Sequence, residues 1–169
     1  MKIYKLILAL AIFTISCDGG LAPNDTGMEN MTGFGGSISF MGEWPSDITQ
    51  TNIVLFKDPI LTEADFNIDN LKYLSTSIPF NSLDYSYNTI DSLLFGNVTS
   101  GKYFYLAVIQ TKEKSISFDR EDWFVVGIYE STDENSEPGE IIVEENKFNF
   151  EVNIICDFNN IPPQPPGGE

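Results

Sequence analysis

The stretch Phe148-Asn149-Phe150-Glu151-Val152-Asn153-Ile154-Ile155-Cys156-Asp157-Phe158 decides the fold class. Phe148, Phe150, Val152, Ile154, Cys156 and Phe158 fall on every second position. Asn149, Glu151, Asn153 and Asp157 fill the gaps, with Ile155 the one exception. A period of two belongs to a strand with one face in a core and one in water. The pattern predicts one long strand whose inner face carries Cys156.

Working outward, the same signal recurs. Lys102 to Gln110 is apolar on both faces, so it reads as a central strand covered on both sides. Trp123 to Tyr129 and Glu140 to Glu144 read as further strands. Upstream, Ile38 and Phe40 alternate with Ser37 and Ser39, and Pro45 forbids continuation in a paired central strand. Asn52 to Lys57 is short, apolar and β-branched, and Asp58-Pro59 ends it. Leu83, Tyr85 and Tyr87 alternate with polar residues, and Leu93-Leu94-Phe95 forms a brief apolar run.

The segment Ile60 to Phe80 reads as one short helical turn capped by Thr62, or a structured loop, then an irregular approach to Pro79. Thr111 to Asp122 reads as a long exposed loop. Seven or eight short strands without a long helix argue an all-β protein, an antiparallel β-sandwich over residues 33–158. Asn159 to Glu169, rich in Pro and Gly, reads as a disordered, partly polyproline tail.

Composition narrows the chemistry. The net charge is −16, with nine basic and 25 acidic residues. Such a surface repels phosphate backbones and anionic headgroups, which excludes nucleic acid as a partner. There is no histidine, the commonest general base and metal ligand. The two cysteines, Cys17 and Cys156, are too few for a Cys/His zinc site.

The N-terminus sets the compartment. Lys2 and Lys5 precede an uncharged run, Leu6 to Ile15, that is too short to span a bilayer. Thr14-Ile15-Ser16-Cys17 then resembles the lipobox of bacterial lipoproteins, with Thr14 where Leu is more usual. The resemblance implies a signal peptide over residues 1–16 and acylation (palmitate) of Cys17. Removing residues 1–16 removes two basic residues and no acidic one, leaving 7 basic against 25 acidic side chains, a net −18. Residues 17–32 have the Gly, Pro and Asn content of a flexible tether. The expected place is the bacterial cell envelope, lipid-anchored and extracytoplasmic, with inner or outer membrane left open.

A second resemblance rests on Gly101-Lys102-Tyr103 followed by Tyr105-Leu106-Ala107-Val108. This is similar to the Gly-x-Tyr strand of transthyretin-like domains, the carboxypeptidase-regulatory-like sandwiches. Ser37 to Phe40 and Asn52 to Phe56 are similar to their first two strands. The resemblance implies a non-catalytic domain.

Few residues stand out as site candidates. Trp44 and Trp123 lie at strand ends, where an indole stacks on a sugar, anchors an interface, or closes the core. Asp65, Asn67 and Asp69 partly match a calcium loop. Asn70 and Thr76 stand where an EF-hand needs Gly and Glu, so that motif is rejected. A looser structural calcium site is one reading; the other is a solvated loop with Phe66 and Ile68 turned inward. Asp119, Glu121, Asp122, Asp133 and Glu134 offer carboxylates, but nothing fixes their separation, and no enzyme is expected. The reading is a binding or structural lipoprotein. The alternatives are a carbohydrate-binding lipoprotein and an accessory subunit of an envelope protein complex.

Overall fold

The computed structural model describes residues 27, 28, 30–130 and 137–168. In chain order its strands are β1 (Gly33–Met41), β2 (Gln50–Phe56), β3 (Leu71–Ser75), β4 (Asp84–Asn88), β5 (Leu93–Gly96), β6 (Gly101–Tyr103), β7 (Tyr105–Thr111), β8 (Phe124–Ile128), β9 (Ile141–Val143), β10 (Phe148–Asn149) and β11 (Ile154–Asp157). Two single turns of 3-10 helix, Glu63–Asp65 and Arg120–Asp122, interrupt the loops. The all-β sandwich expected from the period-two segments is present, and most of its pairings are antiparallel.

One layer is a five-stranded antiparallel sheet in the order β5-β3-β2-β7-β8. The other is built on β1, with β4 antiparallel on one side. β6 and β9 form a separate two-stranded ribbon. Between the layers lies a core containing Phe34, Ile38, Ile53, Leu55, Tyr73, Leu106, Val108, Val126, Ile154 and Cys156. Gly127 on β8 faces Cys156 so closely that a Cβ there would lie 2.5 Å from Sγ. The bare backbone lets the layers touch at that point.

The five-stranded sheet is also covered on its outer face. Val54, Phe56, Leu71, Leu74, Tyr105, Ile109, Trp123 and Val125 form a second core there, with Ile60, Phe66 and Ile116 packed on it from the loops. This is why every residue of β7 is buried and why its sequence does not alternate. The 57–70 loop makes this cover, and Asn70 holds it shut. The Asn70 Oδ1 accepts from the Asp58 N–H at 2.8 Å, and its Nδ2 donates to the Asp65 carbonyl at 2.9 Å.

Three expectations are corrected. Residues 71–75 are not an irregular approach to Pro79 but the inner strand β3, lying between β2 and β5. The short run Leu71 to Ser75 finds neighbours on both sides, and long-range pairing overrides weak local preference. The long final strand is divided, and it runs parallel to β1. Phe34 pairs with Asn149, whereas Ile38 pairs with Ile154, so the C-terminal strand carries one extra residue between these points. Such a bulge switches the facing of everything on one side of it. Val152, Ile154 and Cys156 are therefore buried, Phe148 is half-buried, and Phe150 is 47% exposed, its ring tilted against Phe148 at 4.6 Å. Asn153 fills the break, its Oδ1 accepting from the Ser37 N–H and hydroxyl at 2.8 and 2.9 Å.

The third correction concerns residues 159–168, which are docked rather than loose. Gln164 reaches the edge of β8 and pairs with Val125 as a strand would, Oε1 accepting from its N–H and Nε2 donating to its carbonyl at 2.9 and 2.8 Å. Pro165 is buried, and its carbonyl accepts from Arg120 Nη2 at 2.8 Å. At the other end, the Asn146 N–H donates to Thr32 Oγ1, so the folded body takes in the last residue of the expected tether.

Candidate cleft at the end of the sandwich

The end of β7 meets three other segments in one place. Pro45 breaks the path after β1, and the following loop is tied to β7 by the Thr49 N–H donating to the Thr111 carbonyl at 3.0 Å. The turn Arg120–Asp122 delivers Trp123 and Phe124 to the start of β8. The C-terminal segment returns with Gly168 beside the Arg120 guanidinium. A cleft of about 420 Å³ opens among these segments.

Its interior holds an unusual polar group. Gln110 is fully buried, and its Nε2 donates to Thr51 Oγ1 at 3.3 Å. Its Oε1, itself buried behind the cleft wall, has no hydrogen-bond partner among the described residues. An unmade hydrogen bond at a buried acceptor costs about 1–3 kcal/mol. The apolar wall is Ile48, Pro45 and Phe124, the last 40% exposed. The rim is acidic. Among the described residues Glu113, Glu121 and Asp122 carry no ion pair, and Asp47 is paired with Lys112 at 2.5 Å. The Lys112 ammonium, bonded to Asp47, holds that carboxyl below its ordinary range.

The support beneath the cleft is a buried cation. Arg120 is 5% exposed, lies 5.5 Å over the Phe66 ring and donates to the carbonyls of Trp123 and Pro165. Among the described residues it has no carboxylate partner. Burial pushes its guanidinium pKa down. Carbonyl dipoles and an aromatic face replace the counter-ion.

The sequence candidates divide. Trp123 does line the cleft, but it is 3% exposed, meets Phe66 edge-on at 5.0 Å, and donates its indole N–H to the Ser117 carbonyl at 2.7 Å. Trp44 closes the other core against Phe40, Phe80 and Phe158, its indole N–H donating to the Ser82 carbonyl. Neither indole offers a free face for a sugar; both seal the ends of cores.

The calcium reading does not fit the loop. Asp65 Oδ2 accepts from the Leu61 and Thr62 N–H groups and the Thr62 hydroxyl, which holds its carboxyl below the usual range. Asn67 Oδ1 accepts from the Asn70 N–H at 2.9 Å. Two of the three candidate ligands, Asp65 and Asn67, are thus turned to protein donors. Among the described residues no three acidic or Cys side chains form a metal-holding group. Phe66 turns inward as the alternative requires, whereas Ile68 is 49% exposed.

Of the carboxylates, Glu121 and Asp122 share the cleft rim. Asp133, Glu134 and Cys17 lie outside the described residues. Sequence reasoning missed Gln110 and Phe124. The signal for Gln110 was present, since it is the polar end of the apolar run Tyr105 to Ile109 in a strand with two covered faces. No protein-family model matches the chain, and neither does any curated protein or solved structure.

Proposed function

We propose that the protein is a lipid-anchored, extracytoplasmic lipoprotein of the bacterial cell envelope whose β-sandwich serves as a binding module without catalytic activity. The observation that carries this reading is the sequence Lys2 to Cys17, a basic start, a short apolar core and Ser16-Cys17. The state of the other thiol supports it. Cys156 is fully buried between the layers and protected from the oxidation that an exported lone thiol meets. The cleft supports binding over catalysis. A carboxylate pair for glycoside hydrolysis needs one member held protonated by burial, and Glu121 stands exposed on the rim.

Changing Cys17 to Ala tests the anchoring. The variant is expected to leave the membrane fraction or to stall as an unprocessed chain, with no acyl mass on residue 17. Normal processing with full membrane retention and no acyl chain would remove the basis of the reading.

The accessory-subunit alternative has one observation in its favour. β5 is an outer strand of the five-stranded sheet, and Leu93, Leu94 and Phe95 on it are exposed beside Phe118. An open, apolar sheet edge accepts a further strand. Leu94→Lys is expected to abolish co-purification of any envelope partner held there, while the chain itself stays folded.

A further inference from the structure

We propose that the end of the sandwich where the expected tether joins β1 seats on the bilayer, with Ile142, Phe148 and Phe150 against the lipid interface. The proposal rests on the reading of the chain as lipid-anchored through Cys17 and names the surface that the body itself touches. It starts from apolar side chains that share one place. Gly33, the first residue of β1, lines a surface hollow together with Ile142 of the β6–β9 ribbon and with Phe148 and Phe150 near the C-terminal end of the chain. Ile142 is 58% exposed and Phe150 nearly as open. The half-buried Phe148 ring lies so near the start of β1 that a Cβ at Gly33 would stand 3.2 Å from it. Met31, two residues ahead of Gly33, is exposed as well. Apolar side chains gathered on a surface mark a contact with something apolar.

The path of the chain says what covers them. With a lipid on Cys17, the part of the body nearest the membrane is the part that residues 17–32 lead into, and that is Gly33. A coil of this length spans about 20–24 Å on average. β1 leads away from that point, and its other end at Met41 lies about 26 Å further on. Tethering raises the local concentration of the interface to about the millimolar range, so a contact too weak to hold a free protein suffices. The charges at this end suit a zwitterionic surface. Two of the three ion pairs among the described residues stand here, Lys147 with Glu144 at 2.6 Å and Lys102 with Glu140 at 2.9 Å. Lys102 pairs with Ile142 across the ribbon, and Lys147 lines the hollow. Their carbon stems extend the apolar surface while the ammonium groups reach headgroup phosphates. A second copy of the chain in the same place would bring one strongly acidic body against another.

The test places the lipidated full chain in vesicles of phosphatidylcholine brominated near the top of the acyl chains, where bromine quenches tryptophan. Phe150→Trp and Ile142→Trp put reporters in the hollow. Leu83→Trp puts one near the other end of β1, at a residue 77% exposed whose carbonyl accepts from the Phe40 N–H. The unsubstituted chain supplies the signal of Trp44 and Trp123, both buried, for subtraction. The two hollow reporters are expected to shift to the blue and lose emission, while the Leu83→Trp reporter keeps its own. Either hollow reporter decides alone if the other substitution unfolds the chain. The loss should persist at high salt, because salt screens charges and not an apolar contact. Flotation with the vesicles and the acyl mass on Cys17, read on the same samples, report the anchoring itself. Acylated chains that float but show no quenching at positions 142 and 150, equal quenching at all three positions, or quenching abolished by salt would each overturn the proposal and leave the anchoring intact. Chains without an acyl group would overturn the anchoring, and this proposal with it.

Discussion

Cys156 and Gly127 show how much one contact decides. The thiol sits in the β8–β11 contact, and burial pushes its pKa well above the ordinary thiol range. Thiol reagents are expected to leave it untouched in the native protein and to label it on unfolding. Gly127→Ala would drive a methyl to within 2.5 Å of Sγ, 3.0 Å of the Ile155 carbonyl oxygen and 3.1 Å of an Ile154 methyl. The expected cost is about 1–3 kcal/mol by denaturant unfolding. Part of it should return in the Gly127→Ala, Cys156→Ala double variant, because removing Sγ makes room. Full additivity of the two changes would show that the sheets do not meet there. The place of Cys156 was legible from its neighbours, since Val152 and Ile154 share its face. The need for glycine opposite it was not, because no sequence period reveals which strands face each other across a core.

At the scale of elements, alternation identified strands well and their partners poorly. β7 was legible as a doubly covered strand because both its faces are apolar. Phe148 and Phe150 were misplaced because the extra residue before Ile154 leaves the composition unchanged while it switches the face. The tail was misread for a related reason. Pro and Gly content describes how a segment behaves alone, and Gln164 gives residues 159–168 a specific attachment. Gln164 closes the β8 edge of the five-stranded sheet with a side chain in place of a strand. Gln164→Ala should cost about 1–2 kcal/mol and speed hydrogen exchange at the Val125 amide. Unchanged exchange at Val125 would mean that this attachment does not hold the edge. The cleft was hardly legible, since it joins four segments that meet only in three dimensions.

For the whole molecule, the titratable groups set an uneven response to pH. With no histidine, little titrates between pH 6 and 8, and the melting temperature should be nearly constant there. The alkaline side differs. Burial raises the pKa of Cys156, Tyr73 and Tyr87 beyond the usual range and that of Tyr105 to about 12. In the unfolded chain these groups ionise near about 8.5 for the thiol and about 10 for the phenols. The native state then holds more protons than the unfolded one, so stability is full below about pH 8.5 and falls as pH rises toward 12. The slope approaches about 1.4 kcal/mol per pH unit for each group that remains protonated. A melting temperature that holds level from pH 9 to 11 would contradict this. The parallel seam between β1 and the last strands carries a different consequence, one of timing. Gly33 pairs with Phe148, and Ile38 with Ile154, so β1 completes its sheet with strands more than 100 residues later. A chain made from its N-terminus has β4 available early for one side of β1, whereas β10 and β11, its parallel partners, come only with residues 148–157. Contacts this distant in sequence form slowly and late. The emerging chain therefore keeps one edge of β1 open until residues 148–157 have been made.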